Sequence, residues 1–255
     1  MEDAFLPGIP VDRVVACYAA APGNEIASGK FLSRESSAAL VANTFGWFLG
    51  RAVDLPPLVG CDDLGWPAGD VGLEVVLRFP WSGGRHPCLD AVVQTGAALI
   101  GIESKRYEPF RAKQEPHLSE AYWRPVWGDA MAGYERIRDG LLDGSTAFAR
   151  LDAAQLVKHA FGLRTVVHMD KRMLGKRPVL FYLYAEPKSW PDGRPIYEAD
   201  IVAHRAEIAL FAAAVSGDEV AFASASYRDL LGAWSASQNE SIRTHAAAVM
   251  TRFTP

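Results

Sequence analysis

Residues 89–105 read LDAVVQTGAALIGIESK and contain the pattern that decides the fold. Two apolar runs, Cys88 to Gln94 and Ala97 to Arg106, flank the turn residues Thr95-Gly96, so the segment predicts an antiparallel β-hairpin. Three charged side chains interrupt the apolar pattern near the ends of these runs: Asp90, Glu103 and Lys105.

Glu103 and Lys105 are predicted to point to the same face, because side chains alternate between the two faces of a strand. Such charges are costly inside an apolar strand unless they are paired or bound to a metal. Asp90, on the neighbouring strand, is expected at the same edge of the sheet. Two carboxylates on adjacent strands suit Mg²⁺ (or Mn²⁺), since Mg²⁺ takes one or two protein carboxylates and keeps several waters. A surface ion pair between Glu103 and Lys105 is the alternative interpretation.

A metal at this edge would polarise a phosphoryl oxygen and supply a hydroxide-like nucleophile. Lys105 would then orient the attacking water or offset developing negative charge.

Asp90 and the triplet Glu103-Ser104-Lys105, on a hairpin that follows a helix, resemble the motif of the PD-(D/E)xK nuclease superfamily, also called restriction-endonuclease-like. The resemblance implies an α/β fold with a mixed central β-sheet, an antiparallel hairpin and flanking helices. It also implies that Asp90 and Glu103 hold the metal and that Lys105 assists the attacking water. Leu89 stands where the superfamily has its namesake proline.

The same resemblance implies two further catalytic residues. Many members have an acidic residue on the helix before the hairpin; Glu35 fits that place, and Glu25 is the alternative. Several members also have a glutamine on the helix after the ExK strand, and Gln155 matches it. His159 follows four residues later and shares the helix face of Gln155.

Basic residues close to these positions in the sequence are expected to contact the phosphates of nucleic acid. The predicted contacts are Lys158, His159 and Arg106. A charged face in solvent is the alternative for the two cations, and a structural role is the alternative for His159.

Hydrophobic periodicity and turn residues predict alternating strands and helices in a single domain over residues 1–255. The nuclease-like core is expected over about residues 25–186, with a C-terminal elaboration of helices and a strand over 187–255. Helices are predicted over 33–49, 122–142, 196–215, 227–234 and 241–253, and from Asp152 past His159, with further strands over 72–79, 178–184 and 220–223.

Composition limits the class of protein. In 255 residues, 49% are hydrophobic, which suffices for a substantial core. No apolar run reaches 18 residues and the start lacks a signal-like pattern, so a cytoplasmic protein without a membrane partner is expected. The three cysteines form no CxxC pair, which argues against structural zinc.

The first functional hypothesis is a Mg²⁺-dependent nuclease, a hydrolase that acts on nucleic acid and preferentially on DNA. A homodimer would suit the cleavage of both strands, by analogy. The alternative is a catalytically inactive nucleic-acid-binding or interaction module that retains the fold. The net charge of −4 favours this alternative, since phosphate binding favours a basic surface.

Overall fold

A computed structural model describes residues 2–81, 86–112 and 118–255 of the chain. A five-stranded sheet in the order β1-β2-β3-β4-β5 forms its centre. The first three strands are antiparallel, and β3, β4 and β5 are parallel, so the sheet is mixed. The strands are β1 Asp70–Val76, β2 Cys88–Gln94, β3 Ala98–Lys105, β4 Arg177–Tyr184 and β5 Ala221–Ser226.

Helices cover both faces of this sheet, which gives the described chain three layers. Residues of α1, α2, α6 and α7 pack on one face, and residues of α3, α4 and α5 pack on the other. The α-helices of the described residues are α1 Val11–Ala20, α2 Ser37–Phe45, α3 Ala132–Asp143, α4 Ala153–Met169, α5 Glu198–Ala214, α6 Tyr227–Ser235 and α7 Glu240–Phe253. None of the helices in the described ranges is long and apolar enough to cross a membrane.

Strand β3 explains why both faces are covered. Its residues alternate between the two cores: Ile100 and Ile102 pack with α2 and α6, whereas Leu99 packs on the side of α4. Every residue from Ala98 to Ser104 is buried, as expected for a strand with a layer on each face. Glu103 therefore lies on the α4 side of the sheet, between buried neighbours.

The predicted strands are confirmed with shifts of a few residues at their ends. The hairpin is present, with β2 over the predicted residues Cys88–Gln94. The C-terminal strand adds to the same sheet, because β5 pairs with β4. Residues 187–255 thus contribute a strand of the central sheet as well as helices α5 to α7.

Two predicted helices begin later than expected, and one helix was missed. Ser36, not Ser33, caps α2 by accepting a hydrogen bond from the Ala39 amide. The helix predicted from residue 122 starts only at Ala132; Pro125 disfavours helical geometry in the residue before it, and short 3₁₀ turns precede α3. Helix α1 was not predicted at all.

Helix α4 lies very close to the residues that follow β1 and precede β2, Leu77 and Pro87. Gly162 allows this approach, because a Cβ atom at this position would lie 2.9 Å from Leu77 Cβ. Leu77 is itself held in place, since its amide donates to the Pro87 carbonyl at 2.8 Å. The position of α4, and of every side chain that α4 presents to the sheet, therefore depends on a glycine at 162.

We predict that Gly162→Ala lowers the free energy of unfolding. Overpacking costs about 1–3 kcal/mol, which outweighs the gain of up to about 1 kcal/mol in helix propensity. Gly232→Ala is the matched control, because Gly232 lies in α6 with no atom near its missing Cβ. This control is expected to raise stability by about 0.5–1 kcal/mol in denaturant titrations. Equal effects of both substitutions would contradict the close packing of α4.

Candidate functional site

Strand β2 separates from β3 at Asp90, and this separation creates the site. Pairing between β2 and β3 covers only Ala91–Gln94, whereas pairing between β2 and β1 continues to Cys88. Beyond Ala91, the Ser104 amide donates to Asp90 Oδ2 at 2.6 Å instead of to a strand carbonyl. The half-buried Asp90 carboxylate is thus held beside the end of β3, next to Glu103 and Lys105.

Glu103 and Lys105 form a buried ion pair on the α4 face of the sheet. Lys105 Nζ lies 2.5 Å from Glu103 Oε1, and Glu103 is only 1% exposed. Lys105 Nζ also donates to Gln155 Oε1 at 2.7 Å. The surface ion pair considered as an alternative is excluded by this burial, because both charged groups lie under α4.

Helix α4 supplies two more side chains to the site. Asp152 caps the helix by accepting from the Gln155 amide at 3.0 Å, which fixes its first turn. One turn later, His159 Nε2 lies 2.9 Å from Glu103 Oε2, and His159 is 2% exposed. This contact places a polar group of α4 against the second oxygen of the Glu103 carboxylate. Glu103 Oε2 and His159 Nε2 have no other polar partner among the described residues, and His159 Nδ1 has no hydrogen-bond partner there.

The charges of the site act on one another strongly. Burial opposes ionisation of Glu103, but Lys105 and then His159 outweigh it and lower the pKa of Glu103 to about 2. Burial also disfavours the Lys105 ammonium, yet Glu103 outweighs it and raises the pKa of Lys105. Glu103 and Lys105 are therefore both charged at neutral pH.

Asp90 behaves in the opposite way. Burial, followed by the negative charge of Glu103, raises the pKa of Asp90 well above its usual range, and the Lys105 charge offsets this only in part. Ionised Asp90 is consequently the destabilising member of the group. An added cation between the two carboxylates would relieve their repulsion.

Glu74 is an acidic residue near this site that the sequence reasoning missed. It occupies the β1 position opposite Asp90, and its φ of 52° interrupts the regular strand. Cys88 Sγ donates to Glu74 Oε2 at 3.6 Å. Burial, with smaller contributions from Glu103 and Glu25, raises the pKa of Glu74 to about 7. Its only signal in the sequence is one acidic residue inside an apolar strand.

Two predicted site residues lie apart from this group. Glu35 precedes α2 instead of lying on it, and its carboxylate forms an ion pair with Arg111. No hydrogen bond or ion pair in the described part of the chain joins Glu35 to Asp90, Glu103 or Lys105. Glu25, the alternative to Glu35, contributes a small part of the raised pKa of Glu74.

Arg106 is also separate from this group, and its predicted contact with nucleic acid stays a prediction. It follows Lys105 directly, so its side chain lies on the opposite face of the sheet. There its guanidinium is buried and donates to the carbonyls of Arg34 and Phe253.

A cavity of about 600 Å³ opens beside Lys105. Lys105 and Tyr182 lie on its wall together with three more basic residues, Arg111, Arg150 and Lys158. Arg111 and Arg150 form ion pairs with Glu35 and Asp200, whereas Lys158 has no ion pair within the described ranges. Lys158 is therefore the predicted phosphate contact that the structure places next to Lys105.

No protein-family model, curated protein or solved structure matches the chain. In the described residues, no three His, Cys, Asp or Glu side chains are grouped closely enough to hold a metal ion. A site with two carboxylates remains compatible with Mg²⁺, whose other ligands are usually waters. The charge of Glu103 contributes to the raised pKa of Asp90, so a cation beside both carboxylates would offset their repulsion, which fits a role for Asp90 and Glu103 as the two ligands.

We predict that the two carboxylates respond oppositely to neutralisation. Glu103→Gln leaves the buried Lys105 ammonium without its counter-charge and should lower the free energy of unfolding by about 3–5 kcal/mol. Asp90→Asn keeps an oxygen that accepts from the Ser104 amide and removes the repelled charge. Because the pKa of Asp90 is raised on folding, its ionisation opposes folding above the pKa of the unfolded chain.

At pH 8 without metal, Asp90→Asn should therefore raise the free energy of unfolding. Denaturant unfolding of the two variants beside the unmodified chain measures both effects. A similar loss of stability in both variants would contradict the prediction that the charge of Glu103 stabilises the fold and the charge of Asp90 destabilises it.

Proposed function

We propose that the chain is a divalent-metal-dependent phosphodiesterase of the restriction-endonuclease-like type that hydrolyses nucleic acid, preferentially DNA. The observation that supports this most is the convergence of Asp90, Glu103 and Lys105 where β2 and β3 separate. A stable sheet does not need three charges at this place. Their burial is costly, and a catalytic role would explain it.

Asp90 and Glu103 are the residues that would hold the metal, Mg²⁺ or Mn²⁺. Burial and then repulsion by Glu103 raise the pKa of Asp90, and a cation between the two carboxylates would offset this repulsion. When bound, such an ion polarises a phosphoryl oxygen and lowers the pKa of a bound water.

Lys105 has the position and charge to act on the reacting phosphate. Its ammonium stays protonated because of Glu103, and it lies on the wall of the cavity where a phosphate would enter. There it stabilises negative charge that develops on the phosphoryl oxygens and orients the attacking water. Gln155, which accepts a hydrogen bond from Lys105 Nζ, holds the ammonium in this place.

A specific observation favours the second candidate, an inactive binding module. Lys105 and His159 already contact the two oxygens of Glu103, so the buried charges form a nearly complete structural network without any metal. In that case the group would stabilise the contact between β3 and α4 and have no catalytic role. The two candidates differ in whether the site hydrolyses phosphodiesters.

We predict metal-dependent cleavage when the chain is incubated with supercoiled DNA, linear DNA, single-stranded DNA and RNA in Mg²⁺ or Mn²⁺, and no cleavage in EDTA. Lys105→Ala should lower the rate about 100-fold or more, because it removes the cation beside the reacting phosphate. Asp90→Asn, which is expected to fold, should do the same by weakening the metal site. Lys171→Ala, at an exposed lysine in the turn after α4, is the matched control and should retain full activity.

Cleavage that survives in both Lys105→Ala and Asp90→Asn would contradict the assignment of the site. Absence of cleavage of all four substrates in either metal would favour the binding module. The preferred substrate in this panel shows whether the chain cleaves DNA or RNA. Cleavage of supercoiled DNA, which has no ends, shows whether it hydrolyses internal bonds.

A further inference from the structure

Arg106 is a buried cation that the proposed reaction does not use. Its residue is 6% exposed, on the face of the sheet opposite Lys105. One terminal nitrogen donates to the Arg34 carbonyl at 2.7 Å and the other to the Phe253 carbonyl at 2.6 Å. The third nitrogen, Nε, is buried without a hydrogen-bond partner in the described chain.

The carboxylates of Glu108 and Glu35 favour the charge of Arg106 only from outside ion-pair distance. No carboxylate among the described side chains lies within ion-pair distance of its guanidinium. Glu108 accepts from the Arg106 backbone amide at 2.8 Å, not from the side chain. The rings of Tyr107 and Phe253 each lie 5.2 Å from the guanidinium carbon and compensate only partly. A buried charge in this condition is costly unless a counter-ion completes its surroundings.

Arg106 lies on the wall of a cleft of about 610 Å³ that contains two further arginines, Arg34 and Arg252. Both are exposed, and the hydrogen bonds that they donate within the described residues go to backbone carbonyls, Arg34 to Pro191 and Arg252 to Asp3. Asp3 is the one acidic residue on the described wall of this cleft. Three positive charges therefore face one negative charge, in a chain whose net charge is −4.

We propose that this arginine cleft, formed by Arg34, Arg106 and Arg252, binds a phosphate group. Guanidinium groups donate two parallel hydrogen bonds to phosphate oxygens, and several of them together balance the multiple charge of a phosphate. The cleft has the volume of a small-molecule site, so it accommodates a phosphate together with the group that bears it. Phe31 and Tyr107, also on its wall, provide apolar surface for that group.

The phosphate can belong to a free phosphorylated molecule or to a nucleic-acid strand, and the cleft recognises the shared chemistry. The inference is independent of catalysis, because Lys105 and Arg106 lie on opposite faces of the sheet. A bound phosphate would also be a counter-ion for the buried Arg106. A purely structural role for Arg106 provides no such counter-ion.

Calorimetric titration in EDTA tests the proposal without interference from the proposed metal site. The probes are inorganic phosphate, pyrophosphate and a short single-stranded DNA. Arg34→Gln and Arg252→Gln remove exposed charges of the cleft and leave the buried Arg106 in place. Arg136→Gln is the matched control, because Arg136 is another exposed arginine that donates to a backbone carbonyl, that of Ala214.

We expect one pyrophosphate to bind per chain, more tightly than phosphate, with a loss of about tenfold or more in Arg34→Gln and in Arg252→Gln and none in Arg136→Gln. If only the oligonucleotide binds, with the same pattern among the variants, the phosphate belongs to a nucleic-acid strand. Two results would overturn the proposal: no binding of any of the three probes, or binding that the two cleft variants and the control affect equally.

Discussion

The buried contact between Lys105 and Glu103 is the interaction on which the rest of the site depends. It joins two residues of β3, and through Gln155 and His159 it joins this strand to α4. A buried ion pair contributes to stability only when further polar contacts satisfy its members. Helix α4 supplies those contacts, and Gly162 lets the helix come close enough to do so. The polar contacts of the site therefore require α4 to lie close to the sheet, and the same contacts help to hold α4 there.

Opposite environments of two neighbouring carboxylates are the main electrostatic property of the site. Lys105 keeps Glu103 ionised, whereas burial and the charge of Glu103 oppose ionisation of Asp90. A divalent ion would favour the ionised form of Asp90, because both carboxylates would then face positive charge. This property links the folding energetics of the metal-free chain to the proposed chemistry.

Much of the fold followed from local patterns. The strand alternation around Thr95-Gly96 predicted the hairpin and the shared face of Glu103 and Lys105, and both are confirmed. The four-residue spacing of Gln155 and His159 predicted their common helix face, and both contact the ion pair.

What could not be predicted depends on contacts distant in sequence or on a choice between similar local signals. Ser33 and Ser36 are both residues of a type that caps helices well. Because Ser36 is the cap, α2 begins after Glu35 and does not contain it. Glu74 lies near the other carboxylates at a position with an unusual backbone angle, which its sequence does not signal. The surroundings of Arg106 include Phe253, which is 147 residues away.

The most direct test of the central claim is a calorimetric titration of the chain with Mn²⁺, beside Asp90→Asn. If Asp90 and Glu103 form a metal site, the unmodified chain should bind one Mn²⁺, and Asp90→Asn, still folded, should bind it at least about tenfold more weakly. Absence of Mn²⁺ binding by the unmodified chain, or equal affinity in the two proteins, would contradict the account. The buried charges would then be a structural network between β3 and α4.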